Sequence, residues 1–548
     1  MKFNFPNYSI PTLLLLLFCG GTLSCFLWHF LSGATSLESA HIKKKPPEKN
    51  SIHQNIKTVP VSTTLPKRFS VKDLGALGNG IADDTQAIQA TIDRVYKRGG
   101  GIVFFPKGTY IVKINPSKAQ ALIIRTKIIF QGENNRNTII KLADKQGNYD
   151  SILAGAIYHS DLSDFAMYDL AIDGNSSQNP VFLSSDFSGG KFRFAVRIFW
   201  GRRIHIERCR FTNQNNVNTI TVNGEESVSD VLIKDNIFES IGGGKIDYDH
   251  STIYSHGKRV QILNNTFDSR DGAGTYGART AIEIHGDEHI VKQNVIEGFI
   301  YGINITGIAQ SSNHQIITDN LIKNAHTGMV IWSYFGYGNT TNPALSNCMI
   351  TNNKIILNIN DWRQLWGDYP NIGISLQPNS DAPISNLNII RNQITFTNFY
   401  GTGRRSDSLG NGITLWRNAA PNIEIAKLRI IGNKIENSLA AGIYISTPIK
   451  SGDISENLII NSGQVQDYFH EDYRAAIILN GMFENIKINK NLMRDDRIHN
   501  TMTGGIYWFG DCVANCQAKG NILQMKSSVK LEVFQTKSSR ANSFDVSP

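Results

Sequence analysis

One hydrophobic motif recurs along this chain: an apolar residue, an anchor three positions later, and a second apolar residue two beyond that. Val260-x-Ile262-x-x-Asn265-x-Phe267 is a clear instance. The anchors run Cys209, Asn236, Asn265, Asn294, Asn320, Asn353, Asn392, Asn433, Asn457, Asn491 and Asn521, at spacings of 24 to 41 residues. Apolar residues alternate with others around each anchor, as strands require when one face is buried. Length varies between motifs but not within them. That is the mark of a solenoid, in which no coil can bury its own apolar side, so neighbours stack and insertions bulge outward. At roughly 4.8 Å per coil, a dozen or so coils make a rod on the order of 60 Å long. An asparagine at the same bend of every coil can hydrogen-bond the next coil's backbone, so the pattern predicts an amide ladder.

A second strand recurs in each coil, as in Ala281-Ile282-Glu283-Ile284-His285-Gly286. With Ile282 and Ile284 inward, Glu283 and His285 face out. Aligning these strands gives two outward columns. The first is Arg197, Thr221, Tyr254, Glu283, Asn304, Val330, Ser375, Thr414, Tyr444; the second is Phe199, Asn223, His256, His285, Thr306, Trp332, Gln377, Trp416, Ser446. Column neighbours should stand about 4.8 Å apart. An ionisable cluster then emerges from Tyr254, His256, Glu283 and His285, with Arg279 entering the same strand and Asp249-His250 just ahead of the previous one. The bland alternative is a solvated polar sheet face. Two stacked histidines beside Tyr, Glu and Arg nevertheless depart from a face otherwise made of Thr, Ser and Asn. Trp332 and Trp416 either offer flat faces to pyranose rings or pack under the insertions at Asn358–Pro370 and Phe399–Leu409. A long wall of aromatic and polar residues suits a linear polysaccharide.

Ahead of the repeats, Ile88, Thr91, Ile92 and Val95 share one helical face behind a capping box at Asp83 and Gln86. Gly99-Gly100-Gly101 ends that helix, and Ile102–Phe105 and Gly108–Val112 read as short strands. A helix laid over the first strands would shield an exposed sheet end. Ile10–Leu31 holds 22 residues without a full charge, enough to span a bilayer. Ser32-Gly33-Ala34 also fits a signal-peptidase site. Residues 1–34 are therefore a cleaved signal peptide or a retained anchor, and the remainder is exported and tethered, or secreted or periplasmic. The lysines at 43–45 outnumber Lys2 and run against that orientation. Residues 35–67 form a Ser/Thr/Pro-rich linker, 68–526 the coil domain, and 527–548 a cap or loose tail.

The 548 residues are 41% apolar, which excludes wholesale disorder. Net charge is +9, but residues 1–68 hold eight Lys/Arg against two Glu, leaving about +3 for the rest. Nucleic acid is not an expected partner. Cys209 and Cys348 fall inside repeat strands as buried thiols, and Cys512 and Cys516 can pair in an oxidising compartment. No histidine accompanies them at zinc spacing, and no acidic run demands a metal or other cofactor.

The stretch FSVKDLGALGNGIADDTQAIQATIDRVYKRGGGIVFFPKGTYIV, with SDFAMYDLAIDGN at Ser163–Asn175, resembles the pectate-lyase-like superfamily, including its rhamnogalacturonase/epimerase-like branch. It is most similar to the catalytic modules of mannuronan C5-epimerases. That resemblance implies an all-β, right-handed parallel β-helix with an N-terminal capping helix, acting on polysaccharide, with calcium as a cofactor such proteins often use. The DPHE tetrapeptide of those epimerases is absent; Asp247-Tyr248-Asp249-His250 is the nearest look-alike, at different spacing.

Chemistry narrows the reaction. A glycosidase needs two carboxyl groups about 5–9.5 Å apart. Glu283 has Tyr254 and Asn304 as column neighbours, and only Asp271, Asp287 or Glu288 could supply a second acid from loops. β-Elimination or C5-epimerisation of a uronate needs instead a cation for the sugar carboxylate, a base for the C5 proton and an acid. Tyr254, His256, Arg279, Glu283 and His285 meet that list as catalytic candidates, with Arg197, Asp249, His250, Asn304, Trp332 and Trp416 as substrate-binding candidates. A glycoside hydrolase and a non-catalytic surface glycan-binding protein stay open as alternatives. The oligomeric state is not legible in the sequence.

Overall fold

The computed structural model describes residues 67–181, 192–242, 250–269, 279–308, 312–335, 343–358, 371–377, 380–397, 410–416, 423–464, 474–497 and 501–525, and two further strands at Val533–Gln535 and Phe544–Ser547. Residues 68–548 form one compact unit. The predicted segment Ile10–Leu31 and the linker lie outside the described residues, among which no helix is long and apolar enough to cross a membrane.

Each coil contributes three strands. In one, Asn218–Asn223 is followed by Val228–Lys234 and Ile237–Ile241. The next coil runs its first two walls together as a single strand, Ser251–Leu263, before Thr266–Ser269. Every strand pairs in parallel with its counterpart one coil away, so the first two walls merge into a 29-stranded sheet and the third is a 15-stranded sheet. The fold is all-β, as the alternation predicts, and its interior is the stack of apolar residues that flank the anchors. Ile206, Ile233, Ile262, Val291 and Ile317 precede the anchors by three, and all are fully buried. Phe211, Phe238 and Phe267 follow by two and stack face to face, with ring centroids 5.0 and 4.7 Å apart. The sheets continue past residue 526: Val533–Gln535 pairs with Ile506–Trp508, and Phe544–Ser547 with Cys516–Lys519.

The anchors form the predicted ladder. The Oδ1 of Asn320 accepts from the backbone N and Nδ2 of Asn294, each at 3.0 Å. Its own Nδ2 donates to Val291 O and to Asn353 Oδ1, both at 2.9 Å. The same bonds repeat from Asn236 to Asn521, and Cys209 begins the series by donating its backbone N to Asn236 Oδ1. The residue before every anchor, from Arg208 to Gly520, takes a left-handed conformation with φ between 52° and 64°. That turn is costly for most side chains. The amide bonds on either side hold it in place.

At the front, the helix Thr85–Lys97 buries Ile88, Thr91, Ile92 and Val95, the four residues its periodicity picked out. The expected capping box does not form. Asp84 takes the N-cap position, and its carboxylate accepts instead from Leu77 N and Gly78 N at 2.6 and 3.1 Å. Asp83 accepts from Thr85 N and Oγ1, which shifts the cap one residue along. Cys209 and Cys348 are buried free thiols, pushed up to about 12 by burial, and Cys512 and Cys516 form a disulfide.

The ladder makes a direct prediction. Asn320→Ala leaves Asn294 N–H and Val291 C=O buried without partners, so urea unfolding should show a loss of about 2–4 kcal/mol. A loss below about 1 kcal/mol would mean that the ladder accompanies the stack without holding it.

Candidate functional site

The two strands carrying the ionisable cluster are neighbours in the expected register. Tyr254 stands opposite Glu283 and His256 opposite His285, while Ile253, Ile282 and Ile284 point into the core. The first column holds along its whole length: Arg197, Thr221, Tyr254, Glu283, Asn304, Val330, Ser375, Thr414 and Tyr444 are successive partners. Parallel in-register pairing repeats side chains at the same height on each coil, so stacking delivers these residues to one place.

The wall is not the open, solvated face that the alternation suggests. His256 is 9% exposed and His285 5%, and Arg197, Thr221, Asn304, Thr306 and Ser375 are buried too. The rings cover one another. Tyr254 and His256 lie 4.9 and 5.6 Å from His285, centroid to centroid. Glu283 keeps 18% of its side chain exposed and bonds His285 Nε2 through Oε1 at 2.8 Å. Its other oxygen accepts from the Ser251 hydroxyl, a partner the motif did not single out. His285 Nδ1 and His256 Nε2 are buried with no hydrogen-bond partner. Burying such atoms unmatched is costly, so two unpaired imidazole nitrogens on one wall mark it as a candidate site.

The electrostatics follow from burial. Burial lowers His250 to about 3, helped by the Arg279 charge, and the nearby Glu283 charge only partly offsets this. Burial lowers His256 to about 3, and electrostatic interaction with the neighbouring His285 and His289 rings acts in the same direction. Burial alone would raise the Glu283 carboxyl. The His285 hydrogen bond and charge, the Ser251 hydroxyl and Arg279 outweigh it, and Glu283 stays ionised below the usual carboxylate range. The cluster therefore combines a neutral imidazole, a fixed carboxylate and a phenol.

The other candidates separate. Arg279 precedes Thr280 at the entry to the Glu283 strand, and its charge acts on both His250 and Glu283. Asp249 lies outside the described residues. Asn304 donates to Thr280 Oγ1 at 3.4 Å beside Glu283. Arg197 sits two coils before Tyr254, about 10 Å away. Its guanidinium is held by Asp150 at 3.1 Å, in an ion pair that the repeat does not signal, since Asp150 has no place in it. Trp332 pairs with Thr306, and Trp416 lies two coils further on, about 19 Å from His285. Both are half-buried. Trp416 reaches the Tyr444 ring at 6.4 Å, and its indole nitrogen is buried without a partner. The insertions that would flank these tryptophans lie outside the described residues. Among the described residues no three His, Cys, Asp or Glu side chains converge as a cation site.

These stacked coils and their asparagine ladder define a pectate-lyase-like parallel β-helix. Residues 68–254 match the sequence model of the family described as rhamnogalacturonase A/epimerase, pectate lyase-like. The chain is 38% identical to mannuronan C5-epimerase AlgE5 of Azotobacter vinelandii over 125 residues, 22% of this chain and 12% of that protein. It is 30% identical to alginate lyase 7 of the same organism over 208 residues, 36% of this chain and 24% of that one. The chain thus spans only a minor part of the length of either relative. Among solved structures, the tailspike protein of E. coli bacteriophage HK620 in complex with pentasaccharide superimposes with a TM-score of 0.54 at 13% identity, over 84% of this chain and 78% of that one. That likeness is one of fold.

The buried histidines predict a pH dependence. His250, His256 and His289 all sit at about 3 in the fold, against about 6.5 when unfolded. The unfolded chain therefore binds more protons across that window. Their stabilising contribution is complete above about pH 6.5 and is lost as pH falls toward about 3, at on the order of 1 kcal/mol per pH unit for each. Urea unfolding between about pH 7.5 and about pH 5 should show this slope, and His250→Gln should reduce it by about a third. An identical slope in the variant would mean that His250 is not held neutral.

Proposed function

We propose that this protein acts on a uronate-containing polysaccharide by β-elimination or C5-epimerisation, with Tyr254, His256, Arg279, Glu283 and His285 as the reacting group. The observation that carries the reading is the register pairing of Tyr254 with Glu283 and of His256 with His285 on successive coils, with two imidazole nitrogens left unmatched. Similarity to mannuronan epimerases and an alginate lyase supports the substrate class. In this reading Arg279 pairs with the sugar carboxylate, which makes the C5 proton more acidic. His256, neutral and without a hydrogen-bond partner at Nε2, takes that proton. The negative sugar carboxylate beside it favours the imidazolium and offsets part of the burial penalty. In elimination the electron pair forms the C4–C5 double bond while the glycosidic oxygen leaves with a proton from Tyr254. In epimerisation a proton returns to C5 from the opposite face. Glu283 fixes the His285 ring through Nε2. Hydrolysis fits less well, because no column neighbour of Glu283 carries the second carboxyl it requires.

The same proposal takes residues 1–34 as a signal or anchor, 35–67 as linker, and the helix Thr85–Lys97 as the cap of a right-handed coil. The Cys512–Cys516 disulfide supports export, since such bonds persist in oxidising compartments. One observation favours a second reading, a non-catalytic glycan-binding surface: the near-complete burial of His256 and His285. Incubating the full chain with acidic polysaccharides separates the outcomes. Elimination generates ultraviolet absorbance, epimerisation alters the polymer's NMR spectrum without it, and a binder only retards on an affinity gel. His256→Ala and Tyr254→Phe should each lower turnover by about 10²–10⁴ while leaving circular dichroism unchanged. Turnover that survives both changes sinks the assignment.

A further inference from the structure

Beyond the ionisable cluster, the same wall ends in a second built feature that neither the repeat nor the proposed reaction uses. Where Phe194–Ile198 turns the corner into Gly201–Glu207, Trp200 stands 40% exposed. Its ring meets His159 edge-on at 5.5 Å, which fixes the indole's tilt. Alongside, Tyr158 stacks on Phe199 at 5.6 Å, and the Arg197 guanidinium lies over the Tyr158 ring at 4.2 Å, braced by Asp150. Arg197 thus props an aromatic shelf from beneath.

Trp200 and Gly201 line a cavity of about 290 Å³ together with Asp161, Ser163, Arg202, Glu226, Ser227 and Ser229, near the lower bound of about 300 Å³ for small-molecule sites. Three successive coils build it, and its floor is fixed by backbone bonds: Leu162 N to Trp200 O at 3.0 Å and Asp164 N to Arg202 O at 2.9 Å. Gly201 permits this approach. Its φ is 130°, and a Cβ there would stand 2.7 Å from Ser163 N. Neither Arg202 nor Glu226 forms an ion pair among the described residues, so both side chains keep their hydrogen-bonding capacity.

The geometry points to a binding site for one neutral pyranose unit of a polysaccharide, separate from the cluster around His256. The indole supplies a flat apolar face for the C–H side of a ring. Glu226 accepts from hydroxyls, as does the Asp161 oxygen not already bonded to Ser163, and Arg202 and Ser227 donate to ring and glycosidic oxygens, the Ser229 hydroxyl being engaged by Asp230. Charge decides the sugar class. Two carboxylates against one guanidinium repel a sugar carboxylate, so this pocket favours a neutral sugar where the catalytic proposal calls for a uronate.

Calorimetric titration of the full chain with neutral hexasaccharides built on glucose, mannose, galactose or xylose, and with oligouronates, tests this directly. At least one neutral hexasaccharide should bind, Trp200→Ala should weaken it about tenfold or more, and Glu226→Gln severalfold. Both variants should keep the wild-type thermal midpoint and any turnover of a uronate polymer. The inference is overturned if no neutral hexasaccharide binds, if Trp200→Ala binds as well as wild type, or if oligouronates are the ligands whose binding Trp200→Ala removes. Loss of uronate turnover in His256→Ala with neutral binding intact would bear on the other site alone.

Discussion

The fold rests on one repeated constraint: an asparagine side chain bonded up and down the coil axis behind a backbone turn that most residues resist. A parallel coil must reverse direction at every corner, and the left-handed residue before each anchor does this at a local cost. Each anchor's Oδ1 satisfies a backbone N–H and an amide of the coil before it, while its Nδ2 satisfies a buried carbonyl. The bonds are worth most because they are buried, where an unmatched group is expensive. Corners are thereby fixed at the same height in every coil. Strand register follows from the corners, and the placement of side chains on the first wall follows from register.

This explains why so much of the site's arrangement was legible in the sequence. With a side-chain period of two and a ladder that forbids slippage, counting from the nearest glycine or turn placed Tyr254 beside Glu283 and His256 beside His285. The same count placed Trp332 beside Thr306 and Thr414 beside Tyr444. Local helix periodicity was equally readable at Ile88, Thr91, Ile92 and Val95. The cap was not, because the Asp84 carboxylate has a competing use seven residues back at Leu77 N that no short motif encodes.

What the repeat does not specify was correspondingly hard to read. Alternation tells which side chains leave the core, not whether they reach water. His256 and His285 leave the core and pack against one another and Tyr254 instead. Arg197 carries the charge expected of a substrate clamp, yet its partner Asp150 lies 47 residues earlier, outside the anchor pattern. Column counting does not reach Trp200, which falls at a corner beyond the end of its strand at Ile198. Its exposure and its neighbours come from the loop holding Tyr158 and His159, which only the folded chain brings alongside.

Scaffold and wall therefore respond differently to substitution. Substituting an anchor disturbs two coils at once, so the ladder tolerates little. A residue on the first wall touches chiefly its column neighbours, and the core packs without it. Chemistry can change there one rung at a time, by exchanging an asparagine for a glutamate or a threonine for a histidine, with corners and core unmoved. On such a wall an ionised Glu283 can hold one imidazole while burial keeps another neutral a single rung away. The wall's partial burial, which narrows access, is the same property that keeps His256 neutral.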